Sequence, residues 1–356
     1  MKIIKIGGTA LSNLSNIIDF ADTVKHSNQP ILLVISAFDK LSSDLKKLHF
    51  DANFDKKSSP FSFFREFSSI LSPQECVYFF TYLDKVEIIL TKRLKGIAIS
   101  GETPLKVMDE ILSFGELISS FFVHCYFNSR SIANQFLDIR SVIETDENFG
   151  KAKPNIEVSL QKIKAIKLDN GLIVTQGFIA ANKNGNSTTM GFESSNLSAT
   201  ILAKGLSSNE IDIYTKVNRI YTADPEKFPY SKPITNIPYS SAKILAKYGF
   251  RMLFPGMVDL AENNNIKIIY RGVNSEGTTL ISESKEFDYP VLIPIENGYL
   301  LAPINSKNSI EIITKFEYKI EGFSYNKSNN TLFLFTDNLD FNILHEFTIS
   351  LYWKYF

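Results

Sequence analysis

The residues best placed to do chemistry open the chain. Lys5-Ile-Gly-Gly-Thr9 sets a cation, two glycines and a hydroxyl between an apolar run and a helical pattern. Met1 to Lys5 reads as a short strand, and Leu14, Ile17, Ile18 and Ala21 mark the helix after the turn. Strand, glycine turn and helix are one way to build a phosphate cradle. Glycine lets the backbone approach an anion, helix-end N–H groups point at it, and Lys5 adds a fixed positive charge. Neither GxxxxGK[ST] nor GxGxxG is present. A plain strand–turn–helix without a ligand has the same appearance.

Ser36 follows the continuous apolar run Ile31-Leu32-Leu33-Val34-Ile35, which reads as a strand buried on both faces. In an open α/β sheet ligands collect at that end of a strand. A serine capping the next helix is the alternative. Ser113-Phe114-Gly115-Glu116-Leu117-Ile118-Ser119-Ser120 puts a glycine and a carboxylate between two helix-like stretches. Taken alone, Glu116 reads as a solvated helix residue. Thr188-Thr189-Met190-Gly191 runs into Phe192-Glu193-Ser194-Ser195-Asn196, ahead of a helix from about Leu197 to Ala203. Those hydroxyls fit a second phosphate site or an ordinary serine N-cap. Tyr221 and Pro225 follow the strand Ile211–Thr215, where they could wall an adenine pocket or shape a structural loop. His26, His49, His124 and His345 have no ligand spacing, so no metal site is proposed from them, and His124 reads as a packed core histidine.

The elements that must position these residues alternate. Residues 40 to 127 read as mostly helical, with stripes Leu83, Val86, Ile89, Leu90 and Leu105, Met108, Ile111, Leu112 as core faces. Leu137 to Ile143 suggests a strand, Leu172–Thr175 another, then Ile211–Thr215, a helix from Ser240 to Tyr248, and the strand Lys267–Arg271. Repeated strand–helix units imply an α/β fold with a mainly parallel sheet sandwiched by helices. After Ser284 the chain becomes rich in short β segments, at 291–295, 299–303, 309–313, 317–321 and 331–335, with a short helix at 338–346. That reads as a small α+β module.

Composition narrows the partners. The chain has 356 residues, room for two domains, and its 38 Lys plus Arg balance 38 Asp plus Glu. No basic excess argues for nucleic acid. Cys76 and Cys125 share no CxxC spacing, which fits a reducing cytoplasm rather than a disulfide framework or zinc site. No run of about 18 apolar residues argues for a membrane span, and no signal-peptide core is present.

Several phrases in one order carry a resemblance. They are Lys5-Ile-Gly-Gly-Thr9, Val34-Ile-Ser-Ala37, Ser113-Phe-Gly-Glu116, Asp138-Ile-Arg140, Thr145-Asp-Glu-Asn-Phe-Gly150, Gln176-Gly-Phe-Ile179, Thr188-Thr-Met-Gly191, Ile220-Tyr-Thr-Ala-Asp-Pro225 and Phe250-Arg-Met-Leu-Phe-Pro255. Together they resemble the aspartokinases of the amino-acid kinase superfamily, over about residues 1 to 283. The resemblance implies an amino-acid kinase catalytic domain at 1–284 and a single or partial ACT-like domain at 285–356. It also implies ATP-dependent phosphorylation of an amino-acid side-chain carboxylate, with L-aspartate as the default substrate. Lys5 and Ser36 would flank the reaction, with Lys5 stabilising charge on the transferring group. Gly7, Gly8 and Thr9 would hold phosphate oxygens, Thr9 also lying beside the substrate. Glu116 would meet the substrate amino group. Ser195 and Thr215 match hydroxyls near substrate and phosphates, and Tyr221 the aromatic beside the nucleotide. Magnesium follows from the reaction class, not from a readable ligand cluster.

Departures from the family pattern fall on the substrate and phosphate side. Phe192 stands where an arginine is expected to grip the substrate carboxylate, which exchanges a bidentate donor for an apolar face. Asn196 replaces an aspartate, Lys216 another, and Glu226 an arginine near the phosphates. Arg251 keeps the charge of a family lysine. Each lost charge-assisted contact costs about 1.5–3 kcal/mol. Two alternatives therefore stand beside the aspartate kinase. One is a catalytically impaired paralogue that binds a nucleotide or a partner; the other is a kinase for a less acidic substrate. Aspartokinases usually carry two ACT modules that bind regulators and pair subunits. The length after Ser284 suffices for one at most, which leaves a homodimer open and feedback regulation in question.

Overall fold

The computed structural model describes residues 1–11, 14–25, 27, 29–48, 59–166, 171–229, 231–273, 276–283, 291–295, 298–302, 323–326 and 331–335. In chain order the first strands and helices are β1 (Lys2–Ile6), α1 (Leu14–Lys25), β2 (Ile31–Ile35), α2 (Leu41–Lys47), α3 (Phe63–Phe67), α4 (Pro73–Ser100), α5 (Leu105–Ser129), β3 (Asn134–Phe136), β4 (Glu144–Thr145) and α6 (Ile156–Lys164). Next come β5 (Leu172–Gln176), β6 (Ile179–Asn182), β7 (Ser187–Thr189), α7 (Ser195–Gly205), β8 (Glu210–Thr215), β9 (Ile220–Tyr221), β10 (Pro233–Ile234) and β11 (Asn236–Pro238). The rest are α8 (Tyr239–Lys247), α9 (Pro255–Glu262), β12 (Lys267–Gly272), β13 (Thr278–Ser282), β14 (Val291–Ile295), β15 (Gly298–Ala302), β16 (Phe323–Asn326) and β17 (Thr331–Phe335).

β2 and β5 are buried at every residue, as the apolar run of β2 requires, and in β5 the burial extends over Thr175 and Gln176. Eight strands form one sheet in the order β11-β13-β12-β8-β1-β2-β5-β3. β1 lies parallel to β8 on one side and to β2 on the other, and β2 lies parallel to β5. The fold is α/β with a mainly parallel sheet and helices. The registers Ile6↔Ile35, Ile35↔Gln176 and Ile6↔Tyr214 put the C-terminal ends of β1, β2, β5 and β8 level with one another. The loops that follow, beginning at Gly7, Ser36, Gly177 and Lys216, therefore leave the sheet along one edge.

α4 and α5 are the long helices. Ser72 caps α4 by accepting from the Glu75 N–H at 3.4 Å, Pro73 fills its first turn, and Gly101 closes it with φ 71°. α5 is buried at every residue from Ile111 to Val123. A helix covered all round must satisfy its polar side chains internally. Ser113 donates to the Glu110 carbonyl and Ser120 to that of Glu116, while Ser119 accepts from the Phe38 N–H at 3.0 Å.

Some expectations need correction. α5 runs without interruption through Gly115, so the two helix-like stretches are one helix. Gly115 lets α5 pack closely, since a Cβ there would stand 3.2 Å from the Ala37 Cβ. Leu105, at the start of α5, is 63% exposed and is not a core residue. Ile89 is exposed too, and Met108 is only half-buried, so the first stripe has one residue outside the core and the second has two. The strand expected at 137–143 is a 3-10 turn at Ile139–Ser141, set between β3 and β4. Asp138 starts that turn by accepting from the Arg140 N–H, which favours a turn over a strand. His124 is half-buried, its Nδ1 2.7 Å from Asn134 Oδ1.

The chain divides into two compact units, Met1–Lys216 with Arg271–Glu276, and Val217–Tyr270 with Gly277–Phe356. In the second unit β14, β15, β17 and β16 make a four-stranded antiparallel sheet in that order. The expected segments 309–313 and 317–321 and the helix 338–346 lie outside the described residues.

Candidate active site

Lys5 stands one residue before the end of β1, opposite Val34 on one side and Ile213 on the other. It is only 7% exposed. Burial pulls its ammonium down to a pKa of about 8, while the carboxylates of Glu193 and Glu116 act in the opposite sense. A buried lysine near neutrality with carboxylates around it marks a site rather than a structural ion pair.

The glycine turn closes on the loop after β2. A Cβ on Gly8 would lie 1.9 Å from the Ala37 carbonyl oxygen, so only glycine fits. The Asp39 N–H donates to the Gly8 carbonyl at 3.1 Å and fastens the two loops. A Cβ on Gly7 would lie 3.5 Å from Lys5 Nζ. The Gly7 N–H already donates to the Tyr214 carbonyl at 2.9 Å, so Gly7 offers an anion room rather than a donor. Thr9 belongs to the single 3-10 turn Gly8–Leu11, and its side chain lies outside the described residues.

Phe38 anchors the β2 loop from beneath. Its ring lies 5.5 Å from Phe64 and 6.1 Å edge-on to Phe122 of α5. Ser36 therefore projects from a fixed loop. Its Oγ is buried and has no hydrogen-bond partner among the described residues. It does not cap α2, whose N-cap is Lys40.

Glu116 is 3% exposed, not solvated. Its reading as a surface residue fails because α5 is covered on every side. Burial lifts its carboxyl to a pKa of about 8, against the opposing effects of the Ala37 N–H, Lys5 and the Ser42 hydroxyl. Oε1 accepts from the Ala37 N–H at 3.4 Å, and Oε2 has no hydrogen-bond partner among the described residues. Such an atom, deep in the fold, calls for a donor from a ligand.

The segment before α7 supplies the next wall. A Cβ on Gly177 would lie 2.5 Å from the Ser195 Cβ, so the loop after β5 and the start of α7 are in contact. Ser195 and Asn196 are buried in the first turn of α7. Ser194 occupies the N-cap without a capping hydrogen bond, and its buried Oγ has no partner among the described residues. The ordinary serine cap is thus not what the residue does. Phe192 is 54% exposed, its ring 5.8 Å from Phe178 and 5.3 Å from Lys46 Nζ. Asp39, Phe178 and Glu193 all hold positive φ, at 44°, 65° and 69°. Backbone strain on these loops is typical of a functional edge.

Thr215 ends β8 half-buried, and Lys216 is exposed beside it. These two share the first unit with Lys5, Gly7, Gly8, Ser36, Glu116, Phe192, Ser195 and Asn196. Tyr221, Glu226 and Arg251 belong to the second unit. There Tyr221 donates from its hydroxyl to Asn218 at 2.9 Å, while Glu226 and Arg251 are exposed. Sequence reasoning gives no role to Ser42, Glu193 or Ser194. For Ser42 a signal exists: Leu41 and Leu45 set the buried face of α2, which fixes where Ser42 and Lys46 fall, one turn apart. Among the described residues no group of three or more His, Cys, Asp or Glu could hold a metal ion. No described helix is long and apolar enough to cross a membrane.

A cation, glycine-tight loops and unpaired polar atoms at the C-terminal edge of parallel strands are suited to an anionic ligand. Residues 1–270 match the family model for the amino acid kinase family. Lysine-sensitive aspartokinase 3 of Escherichia coli (strain K12) is 28% identical over 274 residues, 74% of this chain and 60% of that protein. The aspartokinase of Chlamydia pneumoniae is 34% identical over 148 residues, 42% of this chain and 34% of that protein. The chain thus spans less than two thirds of the length of these relatives. Among solved structures, E. coli aspartokinase III in complex with aspartate and ADP (R-state) shares the fold with a TM-score of 0.74 at 22% identity, over 98% of this chain and 84% of that one. With the family model spanning three quarters of its length, the chain belongs to the amino acid kinase family.

Proposed function

We propose that the site around Lys5 transfers the γ-phosphoryl group of ATP to the side-chain carboxylate of an amino acid, with L-aspartate giving 4-phospho-L-aspartate. The observation that carries this reading is a buried Lys5 in the same unit as two buried, unpartnered acceptors, Ser36 Oγ and Glu116 Oε2. A carboxylate oxygen attacks the γ-phosphorus, the bond to the β-phosphate oxygen breaks, and ADP leaves with the electron pair. No proton transfer is required. Catalysis then rests on positioning and on charge stabilisation. Lys5 holds its positive charge at the transferring group, and Ser36 lies beside the reaction line. Gly7 and Gly8 keep the backbone low enough for phosphate oxygens to approach, and Thr9 adds its hydroxyl. Glu116 takes the substrate ammonium on Oε2, with Ser195 and Asn196 lining the substrate. Thr215, Lys216, Tyr221, Glu226 and Arg251 are assigned to the nucleotide. The E. coli relative's complex with aspartate and ADP supports both choices of ligand. Magnesium enters with the nucleotide phosphates, and no step is assigned to a protein-held ion. Residues 1–284 form the kinase domain in this reading, and 285–356 an ACT-like module that could pair two copies.

Phe192 favours a second reading. An exposed aromatic under Lys46, next to Glu193 at positive φ, gives the substrate side an apolar face and an added carboxylate. A less acidic acceptor suits it. The test is ADP release by the purified chain with ATP and magnesium over acidic and neutral amino acids, with Lys5→Ala as control. Aspartate-dependent release lost in the control supports the first reading. Preference for a neutral amino acid supports the second. ATP binding with no amino acid raising ADP release defeats both and leaves a nucleotide-binding paralogue.

A further inference from the structure

α4 and α5 enclose a cleft of about 590 Å³ in the first unit, apart from Lys5 and its loops. Lys106, Glu110, Phe114 and Leu117 reach it from one side of α5, away from the side that carries Glu116. Tyr82, Lys85, Val86, Ile89 and Arg93 reach it from one face of α4. Arg140 and the β6–β7 hairpin, through Ser187, close a third side. A cleft of this size suits a small ligand.

Its charge is one-sided. Lys85, Arg93, Lys106 and Arg140 line it against a single carboxylate, Glu110. Two of the cations are fixed in place. Arg93 grips Glu110 with Nε at 2.7 Å and Nη2 at 3.0 Å. Arg140 is held by Asp138 through Nε and Nη2, and donates from Nη1 to Ser187 Oγ at 2.8 Å. Lys85 and Lys106 have no ion-pair partner among the described residues. The floor is apolar, built from Val86, Phe114 and Leu117. Two anchored guanidinium groups, two unpaired ammonium groups and an apolar floor make a receptor for an anion with a hydrocarbon body.

We propose that this cleft binds a small organic anion bearing two or more negative charges, as carboxylates or phosphates, on an apolar body. The site is independent of the phosphoryl-transfer reading. Its test is calorimetric titration of the full chain with benzene-1,3,5-tricarboxylate and with phenyl phosphate, and with benzyl alcohol as the uncharged control. At least one anion is expected to bind, the stronger of the two identifying carboxylate or phosphate as the preferred group. Lys85→Glu combined with Lys106→Glu weakens that binding about tenfold or more, and raised salt weakens it in the parent. Lys5→Ala leaves it within about twofold. Both lysines are exposed, so circular dichroism is expected to show an intact fold. If the reversed pair does not fold, Lys85→Gln and Lys106→Gln are titrated singly, each with a loss of about threefold expected. Absence of binding up to about 10 mM overturns the proposal. So does equal binding by the lysine variants, or loss of binding in Lys5→Ala, which would move the anion to the other site.

Discussion

One methyl group decides whether the glycine turn can close. An added Cβ on Gly8 falls 1.9 Å from a backbone oxygen, and Ala37 cannot retreat because Phe38 is locked among rings. Gly8→Ala is therefore expected to cost about 3 kcal/mol or more, read as a lower urea midpoint. An unchanged midpoint would show that the loops separate freely. Burial moves Lys5 down and Glu116 up, each to a pKa of about 8, because it disfavours the charged form of both. An ammonium substrate needs Glu116 ionised, which favours higher pH. Phosphate stabilisation needs Lys5 protonated, which favours lower pH. The kcat/KM profile should peak near pH 8, with apparent values that belong to the pair. Glu116→Gln should remove the acidic limb and bring the alkaline limb to lower pH, because one of the two carboxylates that favour protonated Lys5, beside Glu193, is gone. A profile flat from about pH 6.5 to 9.5 would contradict both roles. Lys5 and the glycines were legible as residue types in a short spacing. The burial of Glu116 was not, because polar neighbours such as Ser113 and Ser120 disguise a helix whose hydroxyls bond to its own carbonyls.

At the scale of elements, α5 is tied through Asp109 to β7 and to the loop that precedes α6. One carboxylate oxygen accepts from the N–H groups of Gly150 and Thr189, both at 2.9 Å, and the other from the Thr189 hydroxyl at 2.7 Å. Burial raises the pKa of this carboxyl, and those donors work against the shift. Asp109→Ala would leave three donors without their acceptor, two of them backbone N–H groups. A loss of about 3 kcal/mol is expected, with faster amide exchange confined to the 146–153 loop and β7. Exchange rising uniformly across the first unit would instead indicate that Asp109 serves general packing. β2 and β5 were readable because the apolar runs Ile31–Ile35 and Leu172–Val174 fit strands covered on both faces. The 137–143 stretch misled because Leu137, Ile139, Val142 and Ile143 look like a strand, while Asp138 folds its own backbone into a turn. Contacts such as Gly177 against Ser195 join residues 18 apart in sequence, and no local pattern announces them.

At the scale of the whole molecule, the first unit is not one continuous stretch. The chain leaves it after Lys216 and returns with Arg271–Glu276. The join is electrostatic. Asp212 on β8 is fully buried, with Lys2 Nζ at 2.6 Å and Arg271 Nε at 2.6 Å. Asp212→Ala leaves two cations facing each other. Both are partly exposed and can regain water, so the cost should lie at the lower end for a broken buried pair, about 3 kcal/mol, measured by denaturant titration. A cost below about 0.5 kcal/mol would mean that the segment is held by its strand pairing alone. Nothing in the composition forecast this arrangement, because balanced charge says how many pairs can form and not which. The parallel sheet was legible as a class, while the return of a distant segment follows from topology.

That return imposes a timetable on the newborn chain. When Asp212 emerges from the ribosome it can meet Lys2, already made, but not Arg271. At typical translation speeds the missing cation arrives roughly 3–12 s later. Through that interval the nascent polypeptide carries a half-neutralised carboxylate on the edge strand of an incomplete sheet, and that β8 edge is open to chaperones or to neighbouring chains.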